Sequence, residues 1–355
     1  SNTAVGVCSL NANTTGADNT AVGNNSLLLN TTGCRNVAVG SGALDSNTTG
    51  IENQAIGYLS MCANTEGGCN VAIGAALQSN TTGGNNVGIG FIALSNNTTA
   101  SSNTAVGRSA LQENTTGTNN TAVGFDSLSA NTTGNQTTAI GSKAACSLTT
   151  AGSVTVLGHN VFSKSTTGGE TVAIGDNTMS CNTTGCRNVA IGNGTMFKNT
   201  TGVCNTAVGR IALACNTTGD FNSAFGHEAL KANTTADNNT AVGHTALIAN
   251  TTAAANTAVG ANALKTTITG AENTAVGVGA LDVNTASYNT AMGVDAGGAN
   301  TSGTGNVFMG NAAGGANTTA SNNTAIGKNS LTTNTTGVNN TAVGYSALTA
   351  NTTGG

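Results

Sequence analysis

Proline and tryptophan are absent from the 355 residues, aromatics make up 3% of them and charged side chains 7%. An ordinary soluble domain is about 25% charged. A disordered chain of this polarity normally carries many charges or prolines, so simple disorder fits poorly. A collagen helix needs glycine at every third residue together with proline, and neither condition holds. No apolar run approaches the roughly 18 residues of a membrane span, so no membrane insertion is expected. Ser1–Gly6 shows neither a basic start nor an apolar core, so no signal peptide is visible. The net charge of −4 comes from 10 basic and 14 acidic side chains. That leaves no basic footprint for nucleic acid.

What the chain has is glycine, 50 of them, and a repeat. The glycine of Asn-Thr-Ala-Val-Gly falls at Gly6, Gly23, Gly40, Gly57 and Gly74 and continues to Gly344. It occurs 21 times at a step of 17 residues, except for two steps of 16, Gly74–Gly90 and Gly277–Gly293. The unit reads N-T-A-V-G-x-x-A-L-x-x-N-T-T-G-x-x. Internal repetition overrides the two-domain prior that the length suggests.

Seventeen residues are too few for a helix pair, and too rich in Thr, Val, Asn and Gly for one helix. Thr-Ala-Val reads as a short strand with alternating faces. Ala-Leu is a second short stretch, and Met61, Met179, Met196 and Phe162 replace the leucine. In Asn-Thr-Thr-Gly, Asn tolerates a left-handed backbone and Gly supplies positive φ. Strand, bend, strand, turn at constant period is one coil of a parallel β-solenoid, whose stacking buries a continuous thin core. The reading is all-β: one domain over residues 1–355, about 21 coils of 17 residues, a flat two-sided β-roll roughly 100 Å long at about 4.8 Å per coil. Absent proline fits, because each coil must donate its N–H groups to a neighbour. The expected core is the strand valine column with the leucine column: Val22, Val39, Val106, Val123, Val208 and Val343 with Leu27, Leu44, Leu111, Leu213 and Leu348. Val123→Asp is then expected to bury an unpaired charge. Coils around residues 137–171 are irregular: Thr137, Val154 and Thr171 replace the first Asn, and Leu148, Ser165 and Thr267 the second.

Asn-Val-Ala-Ile-Gly at Asn70–Gly74 and Asn188–Gly192 closely resembles the head repeat of YadA-type trimeric autotransporter adhesins. The longer unit is similar to repeats of phage and viral tail-fibre-like proteins and bacterial surface fibres. The resemblance runs unit by unit along the chain, with the Asn-Thr-Thr-Gly turn as the departure. It implies a left-handed parallel β-roll, a homotrimer, an extracellular setting and an adhesin's partners, surface glycans among them.

The turn asparagines, such as Asn13, Asn30, Asn47, Asn114, Asn131, Asn182, Asn216 and Asn334, form a column. Stacked amides make a ladder like that of cross-β assemblies, or, since the turn also spells N-x-[ST], carry sparse glycans. Glycans on every coil would sit about 4.8 Å apart, too close for branched sugars. Of nine cysteines, Cys62 with Cys69 and Cys181 with Cys186 bracket a turn, and Cys186 and Cys204 fall at nearly the same register on adjacent coils. They are either disulfide partners or small apolar fillers. No C-x-x-C occurs, so no metal site is expected. His159, His227 and His244 follow the repeat glycine, and Glu228 and Asp220 lie near His227 in sequence. Neither a catalytic set nor a phosphate loop nor any cofactor site emerges.

The function expected from these features is structural: a building block of an extracellular filament, appendage or fibre shaft. Both ends of the sequence look like interior coils, so the repeat is expected to continue or to associate end to end. An adhesin head and an ice-binding solenoid, its turn threonines ordering water, are the alternatives. No aromatic stripe for sugar stacking stands out, since Tyr58, Tyr288 and Tyr345 are isolated.

Overall fold

A computed structural model describes residues 1–355. It is an all-β parallel solenoid of 21 three-residue strands, from β1 (Thr3–Val5) to β21 (Thr341–Val343), one per repeat. The chain divides into two compact units, Ser1–Val172 and Ala173–Gly355. In the first, β1 to β10 (Thr155–Leu157) pair parallel and in register, as in Thr3↔Thr20, Ala4↔Ala21 and Val5↔Val22. In the second, the same holds from β12 (Val189–Ile191) to β21.

The strand faces are the reverse of the sequence expectation. The strand-middle alanine is inside: Ala21, Ala38, Ala105, Ala122 and Ala207 are fully buried. The valine after it points outward. Val22, Val39, Val106, Val123 and Val208 are only half-buried, and Val343 is 67% exposed. Asparagine fixes the choice. The Asn before the strand must reach a carbonyl across the coil, and the two-residue period then turns Ala inward and Thr and Val outward. The interior is also too narrow for valine opposite leucine. A Cβ placed on Gly88, which holds the strand-middle position, would meet the Ala76 Cβ at 3.2 Å and the Leu77 Cγ at 3.3 Å. The leucine column is inside: Leu27, Leu44, Leu111 and Leu213 are fully buried, while Leu348, with no later coil over it, is 47% exposed.

The turn is not where the left-handed backbone lies. Neither Asn30 nor Gly33 has positive φ; the repeat glycine does, as at Gly23 (φ 136°), and so do Asn25, Leu27 and Arg35 (φ 57°, 50° and 58°). Each non-glycine residue so placed costs about 1 kcal/mol or more. Coil-to-coil hydrogen bonds offset this strain: Leu27 donates to the Ala43 carbonyl at 3.0 Å, Asn25 to Val7 and Arg35 to Ala17, both at 2.9 Å. The repeat glycine has no substitute. A Cβ on Gly23 would lie 2.6 Å from the carbonyl oxygen of Gly40, inside backbone contact distance.

Two asparagines close most coils. Asn19 Nδ2 donates to the Gly33 carbonyl at 2.8 Å, and Asn30 Nδ2 to the same carbonyl at 3.0 Å. Both then reach the coil before or after: Asn36 N–H donates to Asn19 Oδ1 at 2.9 Å, and Asn30 Nδ2 to Asn13 Oδ1 at 3.0 Å. The threonines after the turn Asn add a clasp. The N–H groups of Thr31, Thr32 and Gly33 converge on the Thr48 carbonyl at 3.0, 3.2 and 3.2 Å, and Thr31 Oγ1 joins them at 3.1 Å.

Where the ladder is broken, an orphan remains. Asn131 Oδ1 and Asn250 Oδ1 are buried without a hydrogen-bond partner. In each case the next coil has no amide to offer, because Leu148 and Thr267 stand in the turn-Asn position. Thr267→Asn gives Asn250 its missing donor and is expected to stabilise the chain by about 1 kcal/mol, the net value of a buried hydrogen bond. Urea titration of the variant beside the parent measures it.

Candidate functional site

Two surfaces carry side chains that the fold itself does not consume. One is the outward strand face. Its end column is aliphatic, aromatic or Met in every coil, from Val5 to Val343. Ile56, Ile140, Leu157, Phe225, Met292 and Ile326 in this column are each more than a third exposed. The column that starts each strand is Thr or Val, apart from Gln54 and Ser223. Neither column contains a charge. Faces of this kind mark interaction surfaces when they are continuous.

The second surface is the residue after the repeat glycine. This column holds all three histidines (His159, His227, His244) and four of the ten Phe and Tyr residues (Tyr58, Phe91, Phe125, Tyr345). A column that only had to be soluble would collect Lys, Glu and Ser. Nine of its 21 residues are aromatic, histidine or arginine, types enriched on binding surfaces, and the other twelve are Val, Ala, Asn, Ser, Asp and Lys. Phe91 and Phe125, 58% and 42% exposed, flank the coil of Arg108, whose guanidinium carbon lies 5.9 Å from the centroid of the Phe125 ring. In the second unit Arg210, His227 and His244 follow one another on adjacent coils. The two imidazoles stack with centroids 5.4 Å apart and planes 7° from parallel. Arg210 Nη1 is 3.2 Å from His227 Nε2. Glu228 is drawn aside to Lys231 at 2.9 Å, and that hydrogen bond holds its carboxyl below the usual range. Asp220 is not part of this group: its carboxylate accepts from the Val203 N–H at 2.7 Å. Sequence reading missed the aromatic members because it looked for tyrosine alone.

The turn asparagines are ladder members and closed to glycans. Asn30, Asn47, Asn114, Asn131, Asn182, Asn216 and Asn334 are fully buried, and the amide nitrogens of Asn47, Asn114 and Asn216 each donate twice. Asn13 is half-buried, yet its Nδ2 donates to the Gly16 carbonyl at 3.0 Å. The first threonine of each turn spends its hydroxyl on a carbonyl, as Thr48 does on Thr65 at 3.0 Å. The second, such as Thr32 and Thr49, is exposed, and so is the first at Thr14, Thr183, Thr285 and Thr301.

All nine cysteines are free thiols. Cys62 and Cys69, like Cys181 and Cys186, stand on opposite sides of their turn. Cys186 and Cys204 are neighbours through the backbone, Cys204 N–H donating to the Cys186 carbonyl at 3.2 Å. Their side chains diverge, however. A Cβ on Gly68, at the position equivalent to Cys186, would meet the Ile51 carbonyl oxygen of the preceding coil at 3.1 Å. A Cβ on Gly305, equivalent to Cys204, would meet Asn322 Oδ1 of the following coil at 2.7 Å. Diverging Cβ vectors prevent a disulfide without backbone movement. Burial pushes the Cys62 and Cys146 thiols up, and the hydrogen bond to Glu52 at 3.3 Å raises Cys69, so these three stay protonated and poorly nucleophilic.

No three of the His, Cys, Asp and Glu side chains gather where they could hold one metal ion. No helix is long and apolar enough to cross a membrane. Comparison with protein-family models and with curated proteins gives no match.

Proposed function

We propose that this chain is a structural protein of an extracellular filament or fibre shaft, in which copies pack side by side through their strand faces. The observation that carries this reading is the outward end column of the strands, apolar in every coil. In an isolated chain that column wastes burial; against a second copy it becomes a core. Ten coils by the three residues of each strand span roughly 500 Å² in one unit, more than half of what each partner gives to a standard stable interface. A stack of the same kind also repeats at the same spacing, so its apolar side chains meet their counterparts coil after coil. The resemblance to trimeric adhesin heads points to three chains.

Val123→Asp and Ile191→Lys test it. Both side chains sit on the outer face, so in the isolated chain each change is expected to cost under about 1 kcal/mol, as exposed substitutions do. In an assembly each would bury an unpaired charge once per chain. Light scattering is expected to give a multiple of the chain mass for the parent and the single-chain mass for the double variant. A parent that stays a single chain at high concentration rejects side-by-side packing. Electron microscopy of the parent then reads whether the assemblies are filaments.

A further inference from the structure

The N-x-[ST] pattern is not confined to the turn. Asn119, Asn238, Asn322 and Asn339 each stand two residues before a strand. Each is followed by the Asn that closes the coil and then by the threonine that opens the strand, Thr121, Thr240, Thr324 or Thr341. All four asparagines are exposed. Asn238, Asn322 and Asn339 spend no side-chain atom on the chain, and Asn119 Nδ2 reaches only the adjacent Thr118 hydroxyl, at 3.3 Å on the surface. The four threonines stand on the outer side of the coil with their hydroxyls uncommitted.

Four further N-x-[ST] sites outside the turn lack that free hydroxyl. Ser26, after Asn24, donates to the Gly23 carbonyl at 3.1 Å, and Thr98, after Asn96, to Thr115 at 3.2 Å. Thr137, after Asn135, donates to the Asn135 carbonyl at 3.4 Å, and Thr195, after Asn193, to Gly209 at 2.6 Å. The hydroxyl is half of the acceptor motif for asparagine-linked glycans. Amide and hydroxyl are thus both free at only one register of the coil.

That register faces water. In other coils it holds Asp18, Arg35, Glu52, Glu170, Arg187 and Glu272, whereas the neighbouring strand columns hold no charge. A glycan here stands beside the packing face and not on it. The same register holds two rings. Phe221, 58% exposed, is one coil before Asn238; Tyr288, 62% exposed, is two coils before Asn322, with Gly305 between them. A Cβ on Gly305 would lie 2.7 Å from Asn322 Oδ1, so side chains of this column reach those of the next coil. Each ring is an apolar surface within reach of the first sugar on the asparagine.

We propose that Asn119, Asn238, Asn322 and Asn339 are the sites of N-glycosylation in this chain. The donor is a polyprenyl-diphosphate-linked oligosaccharide, used by a transferase of the secretory route. The amide nitrogen bonds to C1 of the first sugar, the C1–O bond to the diphosphate breaks, and one amide proton leaves. Asn238 and Asn322 lie five coils apart, about 24 Å along the stack, so both take a glycan. Asn322 and Asn339 are on adjacent coils about 4.8 Å apart, so one chain takes a glycan at only one of them. A glycan on a turn asparagine would displace its amide from the coil, so chains so modified do not fold. The proposal rests on the extracellular part of the reading above and not on side-by-side packing.

Secretion of the full chain from a glycosylating eukaryotic cell line tests it, because the cell line supplies the compartment and a failure then concerns the coil itself. Enzymatic release of the glycans in heavy-oxygen water converts each glycosylated Asn to a labelled Asp, which peptide mapping locates. Label is expected at Asn119, at Asn238 and at either Asn322 or Asn339, and intact mass is expected to show at most three glycans per chain. Thr121→Val, Thr240→Val, Thr324→Val and Thr341→Val together are expected to remove every glycan with the circular dichroism spectrum unchanged, since valine opens the strand at Val37 and Val71. Label on Asn30, Asn47, Asn114 or Asn216, in secreted or retained chain, overturns the proposal. So does its absence from Asn119, from Asn238 or from both Asn322 and Asn339, a fourth glycan on one chain, or a glycan that survives the four valines.

Discussion

Asn36→Asp is expected to destabilise the first unit by about 3–5 kcal/mol at neutral pH, the range seen when a buried charge is left uncompensated. Asn36 is fully buried. Its Nδ2 donates to the Gly50 carbonyl at 2.8 Å and to Asn19 Oδ1 at 3.2 Å, while its Oδ1 accepts from the Asn53 N–H at 3.0 Å. Aspartate keeps the acceptor and turns the donor into a second acceptor, which then faces two oxygens. Only protonation supplies a hydrogen there. The folded state therefore raises the pKa of the introduced carboxyl above its unfolded value. The variant's deficit is then full above the folded pKa and shrinks as pH falls through it. Urea titrations at pH 7 and pH 4 check both the size and the sign. Asn36→Thr is the control, because Thr137 and Thr171 hold the same position in coils that fold; it is expected to lose about 1–2 kcal/mol. Equal losses for Asp and Thr would show that the amide is not used as described.

Phe308→Ala is expected to cost about 3–5 kcal/mol, and two glycines to leucine are expected to recover most of it. Phe308 is fully buried at a strand-middle position where nearly every other coil has alanine. The space for its ring comes from the leucine column: Gly297 and Gly314 stand where leucine is usual, and a Cβ on either would strike the Phe308 ring. Their φ values, 59° and 61°, are close to those of the column's leucines, 50° at Leu27 and 53° at Leu331, so leucine fits the backbone at both. The single Gly297→Leu or Gly314→Leu overpacks the core, whereas Phe308→Ala with both leucines restores the common coil. Thermal melts of the five proteins form the cycle. Additive losses, with no recovery in the triple variant, would contradict the shared cavity.

Much of the fold was legible because the repeat is its own alignment. Twenty-one copies of one glycine at a near-constant step set the number of coils, and absent proline fits coils that hydrogen-bond to one another. The inside and outside of the strand were misread, although the signal was present. The strand-middle residue is alanine in all coils but those of Gly88, Val156 and Phe308, while its successor accepts Val, Ile, Leu, Phe and Met. Constant size marks a confined site and variable bulk marks an unconfined one. Hydrophobicity alone, used to place valine in the core, cannot separate the two.

What the sequence determined by itself is therefore what depends on period and local chemistry: an all-β solenoid of 17-residue coils, two asparagine columns and a leucine column. What only the tertiary structure decided depends on direction. The face on which Val123 stands follows from the reach of the asparagine amide across the coil, a distance of fourteen residues along the chain. The divergence of Cys186 from Cys204 follows from left-handed backbone one residue to one side. The meeting of Arg210, His227 and His244 needs coils stacked in register, which turns residues 17 apart into neighbours 5.4 Å apart at the imidazole pair. Sequence spacing gives the register; only stacking converts it into contact.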